Sequence, residues 1–227
     1  EYSEIFTDLV GKEDVLILVC ASSRISQVYA IACRAAQKVS PLQVAIHDSG
    51  GVSLWQGFQA VRAAQMAAAG QDGEAILGSL GRMRRQSQFL CVLDTLAFLH
   101  KGGRVNLAQY MISLVFDIKP ILSIKDGEIV PVGRARGRER ALVEMQFRLL
   151  ESMRGMLSVW VGVVYTGASD SAHRFASQME NTLRPTYSLL AQAGPTRTAI
   201  LSKLYCSTLG RMRPGSPSFS NCPVASL

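Results

Sequence analysis

Long apolar runs are missing from this chain. Stretches such as Val15 to Ala21 are strand-sized, far short of the roughly 18 uncharged residues of a membrane helix. Cysteine is sparse: Cys20, Cys33, Cys91, Cys206 and Cys222 are five in number and show no close paired spacing. That excludes a zinc-finger pattern and a disulfide framework. Reduced thiols would place the protein in the cytoplasm. His47, His100 and His173 are the only histidines, too far apart for metal-ligand spacing. There is no phosphate loop, dinucleotide fingerprint or nucleophile elbow, which argues against a small kinase-like or transferase enzyme. No internal repeat is visible.

What remains is a globular composition. Of 227 residues, 48% are hydrophobic and 18% charged, enough for one large or two small domains with a real core. The net charge of +7 is arginine-heavy. It concentrates in Arg82–Arg85 and Arg134–Arg140. A basic balance suits nucleic acid, anionic lipid or an anionic small ligand. Basic residues do not alternate with aromatics, so nucleic acid is not the expected partner, although the Arg134–Arg140 patch keeps a regulatory or nucleic-acid-binding module as an alternative.

Strand-like and helix-like segments alternate along the first third. Val15 to Cys20 reads as a buried parallel strand, Gln27 to Gln37 as a helix, Gln43 to His47 as a second strand, and Leu54 to Ala69 as a helix capped by Gly70. Asp72 is placed to cap a further helix reaching about Arg85. Such alternation predicts an α/β fold with parallel strands. Further on, Phe89 to Leu93 reads as a strand and Val105 to Phe116 as a helix. Lys119 to Ile124 and Glu128 to Val132 flank Asp126-Gly127 as a hairpin. Gly137 to Met153 and Ser169 to Leu183 read as amphipathic helices around a strand at Val159 to Tyr165. The expected architecture is two lobes: a parallel-sheet α/β lobe over residues 1–70, incomplete at its N-terminus, and a mixed α/β lobe over residues 71–205. Residues 206–227, rich in serine and proline, read as a loop-like or disordered tail.

Candidate site residues gather where strands hand over to loops. Ser22, Ser23 and Ser26 follow the first strand. They either cap the next helix or, with that helix's N-terminus, hold an anion. Asp48 follows the second strand and Asp94 the third. Gly102-Gly103 deliver Arg104 on a tight turn, for a ligand or simply for solvent. Arg134, Arg136 and Arg138 alternate and would share one face of a strand, inviting an anionic partner or marking a solvated edge.

In order, these pieces resemble the DegV family of bacterial fatty-acid-binding proteins, which includes the carrier subunits of fatty acid kinase. The match runs from about Tyr2 to Met179. It comprises Ser22-Ser23-Arg24-Ile25-Ser26 with Tyr29, Asp48-Ser49 with Ser53, Asp94-Thr95-Leu96, Lys101-Gly102-Gly103-Arg104, Lys119-Pro120-Ile121-Leu122, Asp126-Gly127 and Val132-Gly133-Arg134-Ala135-Arg136-Gly137. The resemblance implies a long-chain fatty acid held between the lobes, with its tail in an apolar tunnel of the second. It implies headgroup contacts from Ser26, Arg104 and Arg136, with Ser22 and Ser23 in the same loop. It implies no catalytic residue, no metal and no cofactor beyond the bound fatty acid. The implied partner is a separate ATP-dependent kinase that phosphorylates the carboxylate, and transient contact with a membrane surface is a further expectation.

The chain departs from the family pattern in several places. Ser26-Gln27-Val28-Tyr29 stands where Ser-Gly-Thr-Tyr is usual. A first strand and a headgroup threonine would precede Glu1, which is not an initiator methionine, so the chain is expected to begin inside a longer one. The closing His-x-Gly-Pro-Gly segment is missing from Cys206 to Leu227. One choice among the degenerate codons permitted for that tail, read two bases later, gives Gln-His-Thr-Gly-Pro-Asp-Ala-Pro-Gly-Val-Ala-Phe. This predicts a frameshift near Cys206, which sequencing the DNA would decide. With both ends of the pattern missing, an inactive remnant is the other expectation.

Overall fold

The computed structural model describes residues 2–9, 15–38, 44–106, 117–154, 156, 158–167, 169–193 and, as backbone, 204–211. Strands β1 (Leu16–Cys20) and β2 (Val44–Asp48) pair in parallel, joined by helix α2 (Val28–Ala36). Alternation along each strand divides their side chains between two faces. Leu16, Leu18, Val44 and Ile46 pack against α2 and the N-terminal helix α1 (Tyr2–Leu9), where Phe6 is fully buried. Ile17 and Val19 face the opposite way, toward helices α3 (Leu54–Ala68) and α4 (Gly73–Gln86).

Those two helices form a layer between the small sheet and a six-stranded one. The larger sheet contains β3 (Gln88–Leu93), β4 (Ile118–Lys125), β5 (Glu128–Arg136), β6 (Val159–Tyr165), β7 (Tyr187–Gln192) and β8 (Leu204–Arg211), in the order β5-β4-β3-β8-β6-β7. Every pairing in it is antiparallel except β6 with β7. Phe58 of α3 meets Trp160 of β6 edge-on, ring centroids 5.5 Å apart. The contact needs a bare strand. A Cβ at Gly162 would come 2.9 Å from the Phe58 ring and collide with Leu54. On the other face, α6 (Arg138–Ser152) and α7 (Ser169–Leu183) bury Leu142, Met145, Leu149, Phe175 and Met179 against Leu90, Ile121, Val161 and Val163. The fold is therefore mixed α/β, with one parallel-stranded lobe and one mixed lobe, and with seven helices among the described residues once α5 (Ala97–Lys101) is included.

Local signals set many of the boundaries. Gly70 and Gln71 donate to the carbonyls of Ala67 and Met66 and close α3. Asp72 Oδ1 accepts from the N–H of Ala75, 2.7 Å away, and starts α4. Asp126 and Gly127 take φ of +50° and +82°, the mirror-image turn that a tight hairpin between twisted strands requires. The sequence division at residues 70 and 71 falls in the turn between α3 and α4, and both helices pack in the layer between the sheets.

Two expectations change. Residues 206–211 of the expected tail are not loop: with Leu204 and Tyr205 they form β8, hydrogen-bonded to β3 on one side and β6 on the other. A strand flanked on both sides is specified by its partners, so it needs no alternating pattern of its own. Arg138 does not extend the alternating arginine strand. The chain turns at Gly137, and Arg138 opens α6. The expected helix at Val105 to Phe116 and the tail beyond Arg211 lie largely outside the described residues.

Candidate functional site

Because β1 and β2 run in register, with Cys20 opposite Asp48, their following loops emerge side by side. Asp48 ties the two together. Its carboxylate accepts from the backbone N–H groups of Ser23 and Gly50, at 3.3 and 2.9 Å, and from the Ser23 hydroxyl at 2.7 Å. Arg84 of α4 donates to the Asp48 carbonyl at 2.9 Å. Ser22 is buried; its N–H donates to Gly51 O, and its hydroxyl donates to Gly127 O at 2.6 Å in the β4–β5 turn of the other lobe. Ser26 is half-buried and its Oγ accepts weakly from Val28 N–H at 3.3 Å. The Ser22 and Ser23 hydroxyl protons are thus directed at protein acceptors.

Arg104 arrives by a defined turn. Gly103 N–H donates to His100 O and Arg104 N–H to Leu99 O, the paired bonds that end a helix when the chain enters the left-handed region. Gly103 supplies that conformation with φ +71°. The guanidinium then reaches the first lobe: Nε donates to Ile25 O at 3.1 Å and Nη1 to Gly102 O.

Between these parts lies a cavity of about 420 Å³. Residues 23–27 form one wall, Gly102 to Arg104 a second, and Glu128 with Ile129 the third. Ser26 and Arg104, separated by most of a lobe in sequence, therefore share one opening. Ile25 and Ile129 belong to its wall and also pack on the apolar cluster of Trp55, Leu93, Leu96, Leu99 and Leu122. Charged, polar and apolar side chains thus share the wall, and two of the apolar ones lead to that cluster.

Arg136 does not line this cavity. It lies seven residues beyond Ile129 on β5, on the order of 20 Å at strand rise. A β-bulge determines which way it faces. Leu122 pairs with Pro131 but Ile121 with Gly133, so Val132 is an extra residue. Partners across a ladder share a face. Arg134 and Arg136 pair with Pro120 and Ile118, on the face of Leu122 and Ile124 rather than of Ile121. The bulge thus puts both exposed arginines on the sheet face that carries the cavity. Arg138 instead stands 3.8 Å from Asp94 at the end of β3, so the Arg134–Arg140 run is not one continuous basic strip. Lys119 also reaches Asp94, donating to its carbonyl at 3.3 Å, and pairs with Asp117 at 2.9 Å.

Sequence reasoning did not single out Arg24, Gln27, Glu128 or Ile129 as wall residues. The only available signal was their adjacency to motifs already chosen, the serine loop and the Asp126-Gly127 turn. His47 of β2 turns toward α3, its Nε2 2.8 Å from Gln59 Oε1. Burial pulls its pKa below the usual imidazole value, partly opposed by that hydrogen bond. Among the described residues, no cluster of His, Cys, Asp and Glu is arranged to hold a metal ion, and no helix is long and apolar enough to cross a membrane.

A family model for the DegV proteins matches residues 1–202. The chain belongs to the DegV family. A DegV domain-containing protein of Halalkalibacterium halodurans is 29% identical over 182 residues, covering 80% of this chain and 64% of that protein. A second, from Caldanaerobacter subterraneus, is 26% identical and covers 86% and 69%. The chain thus spans about two thirds of the length of these relatives. Among solved structures, a DegV family protein from Thermus thermophilus, described by its fatty acid binding, superposes with a TM-score of 0.86 at 25% identity, covering 93% of this chain and 76% of that one. A DegV protein from Eubacterium eligens loaded with heptadecanoic acid shares the fold, with a TM-score of 0.79 at 20% identity and coverage of 93% and 76%.

Proposed function

We propose that this DegV chain binds a long-chain fatty acid, with the carboxylate at Ser26 and Arg104 and the tail directed into the apolar cluster behind them. One observation carries the reading: Ile25 and Ile129 are both cavity wall and packed against that cluster, so a single ligand can meet cations at one end and hydrocarbon at the other. Each buried CH₂ contributes about 0.8 kcal/mol. A charge-assisted bond from Arg104 adds about 1.5–3 kcal/mol and fixes the direction of entry. Ser26 supplies a hydroxyl. Ser22 and Ser23 shape the loop from beneath, and Arg136 adds positive potential along the same sheet face. The Thermus thermophilus relative, described by its fatty acid binding, supports the assignment.

The carboxylate would remain at the cavity mouth, where a separate ATP-dependent kinase can phosphorylate it. The chain itself then acts as carrier and contributes no catalytic group. Mass spectrometry of lipid extracted from the purified protein tests the binding, followed by titration of delipidated protein with oleate and palmitate. Arg104→Gln is expected to weaken oleate by about tenfold, or about 1.4 kcal/mol. A protein that carries no fatty acid and takes up neither oleate nor palmitate would sink the proposal.

A further inference from the structure

Arg24 and Glu128 meet across the mouth of the cavity. Arg24 belongs to the loop after β1, and Glu128 is the first residue of β5. Nη1 stands 2.8 Å from Oε1, and the two side chains are 59% and 57% exposed. Both residues line the cavity. An ion pair this wet is weak and exchanges readily, because water screens it and both long side chains lose freedom to form it.

The backbone beneath the pair is fixed. Arg24 N–H donates to Ser22 Oγ at 3.3 Å, and the same oxygen carries the proton donated to Gly127 O, the residue before Glu128. The two charges therefore hang from one anchored point while their side chains remain exchangeable. Some donors of the rest of the wall are already engaged. The Ser23 hydroxyl donates to Asp48, and two N–H groups of Arg104 donate to the carbonyls of Ile25 and Gly102. Two arginines and one glutamate leave the wall with one positive charge in excess, which a single carboxylate neutralises.

We propose that Arg24 is a further headgroup-binding residue and Glu128 its built-in competitor. The entering carboxylate takes over Arg24, and Glu128 is released to water. This rests on the fatty-acid reading above and deepens it: the exchange selects acids over neutral lipids of the same length, because an alcohol has no charge with which to displace Glu128. It also couples loading to the release of one contact between the lobes.

Displacement of a bound fluorescent fatty acid by oleate or oleyl alcohol, from the delipidated full chain, tests this in wild type, R24Q, R24K, E128Q and R24Q/E128Q, with matched melting curves. R24Q is expected to weaken oleate about fivefold, R24K to retain most of the affinity, and E128Q to tighten oleate about threefold, from loss or gain of one exposed charge contact. Oleyl alcohol should change less than about twofold throughout, having no charge to respond. The double variant should match R24Q, since Glu128 acts through Arg24. Wild-type oleate affinity in R24Q, or tightening by E128→Gln that persists without Arg24, overturns the exchange while leaving the fatty-acid reading intact. Failure of wild type to bind oleate overturns both.

Discussion

Ser22 donates its hydroxyl to the carbonyl of Gly127, 105 residues further along the chain, at 2.6 Å. The bond joins the loop of the parallel lobe to the hairpin of the mixed lobe, and it sits under the cavity. A Cβ on Gly127 would stand 2.7 Å from that same hydroxyl oxygen, at a φ of +82° that side chains rarely adopt.

Two single variants and their combination probe this contact. Ser22→Ala leaves a buried carbonyl unpaired and should cost about 1–3 kcal/mol. Gly127→Ala meets both the collision and the strained backbone, so a loss of at least about 1–3 kcal/mol is expected. In Ser22→Ala/Gly127→Ala the collision is gone while the strain and the unpaired carbonyl persist, so the double variant should be clearly more stable than the sum of the singles. Urea unfolding of all three decides. Simple additivity would mean that the two residues are not coupled.

His47 predicts an acid-side loss of stability. Its folded pKa lies below the ordinary value of 6.5 because burial disfavours the charged ring. The unfolded chain therefore takes up the proton first as pH falls. The stabilisation is fully present above pH 6.5 and is lost as pH drops toward the folded pKa. Melting temperatures measured from pH 7.5 downward should decline through that window in wild type. His47→Gln should show a shallower decline, and an unchanged slope would discount the residue.

Thiol chemistry separates the cysteines. Burial, assisted by Cys33 and Asp48, pushes the Cys20 thiol up to about 11, and burial alone pushes Cys91 up to about 12. Both stay protonated near neutrality and are out of reach of solvent. Iodoacetamide at pH 8 should modify the half-buried Cys33 before either of them, and peptide mass spectrometry should find Cys20 and Cys91 labelled only after denaturation. Native labelling of Cys91 at the rate of Cys33 would contradict this packing.

Strand β8 has the largest expected effect. It is hydrogen-bonded along β3 from Gln88 to Leu93 and along β6 from Val159 to Val164. Deleting residues 204–227 exposes two inner strand edges at once, each able to template association with another chain. The deleted protein should lose its single cooperative melt and sediment as aggregates, whereas deletion of residues 212–227 alone should keep the melt. A monomeric, cooperatively melting 1–203 chain would show that β8 is dispensable.

Legibility in the sequence followed the range over which each feature is specified. Val159–Tyr165 and Ser169–Leu183 carry their patterns locally and match the observed strand and helix. Gly70, Asp72 and Asp126-Gly127 act within a few residues and were equally readable. β7 and β8 have no such local signature; their neighbours in the sheet specify them. The site divided in the same way. Ser26 and Arg104 stood in recognisable loops, but nothing near Arg24 announced Glu128, because that pair forms between residues 104 positions apart. The face taken by Arg136 depended on one extra residue at Val132, visible only in the pairing with β4.

The position of β8 also bears on biosynthesis. Among the described residues, the halves β5-β4-β3 and β6-β7 have no ladder in common except through it. During translation the hairpin of β4 and β5 can form early, and so can the helices above it. The two half-sheets, however, cannot close until residues 204–211 have left the ribosome. Until then each nascent chain presents open edges on both sides of the gap, the kind of surface that invites association with a second chain.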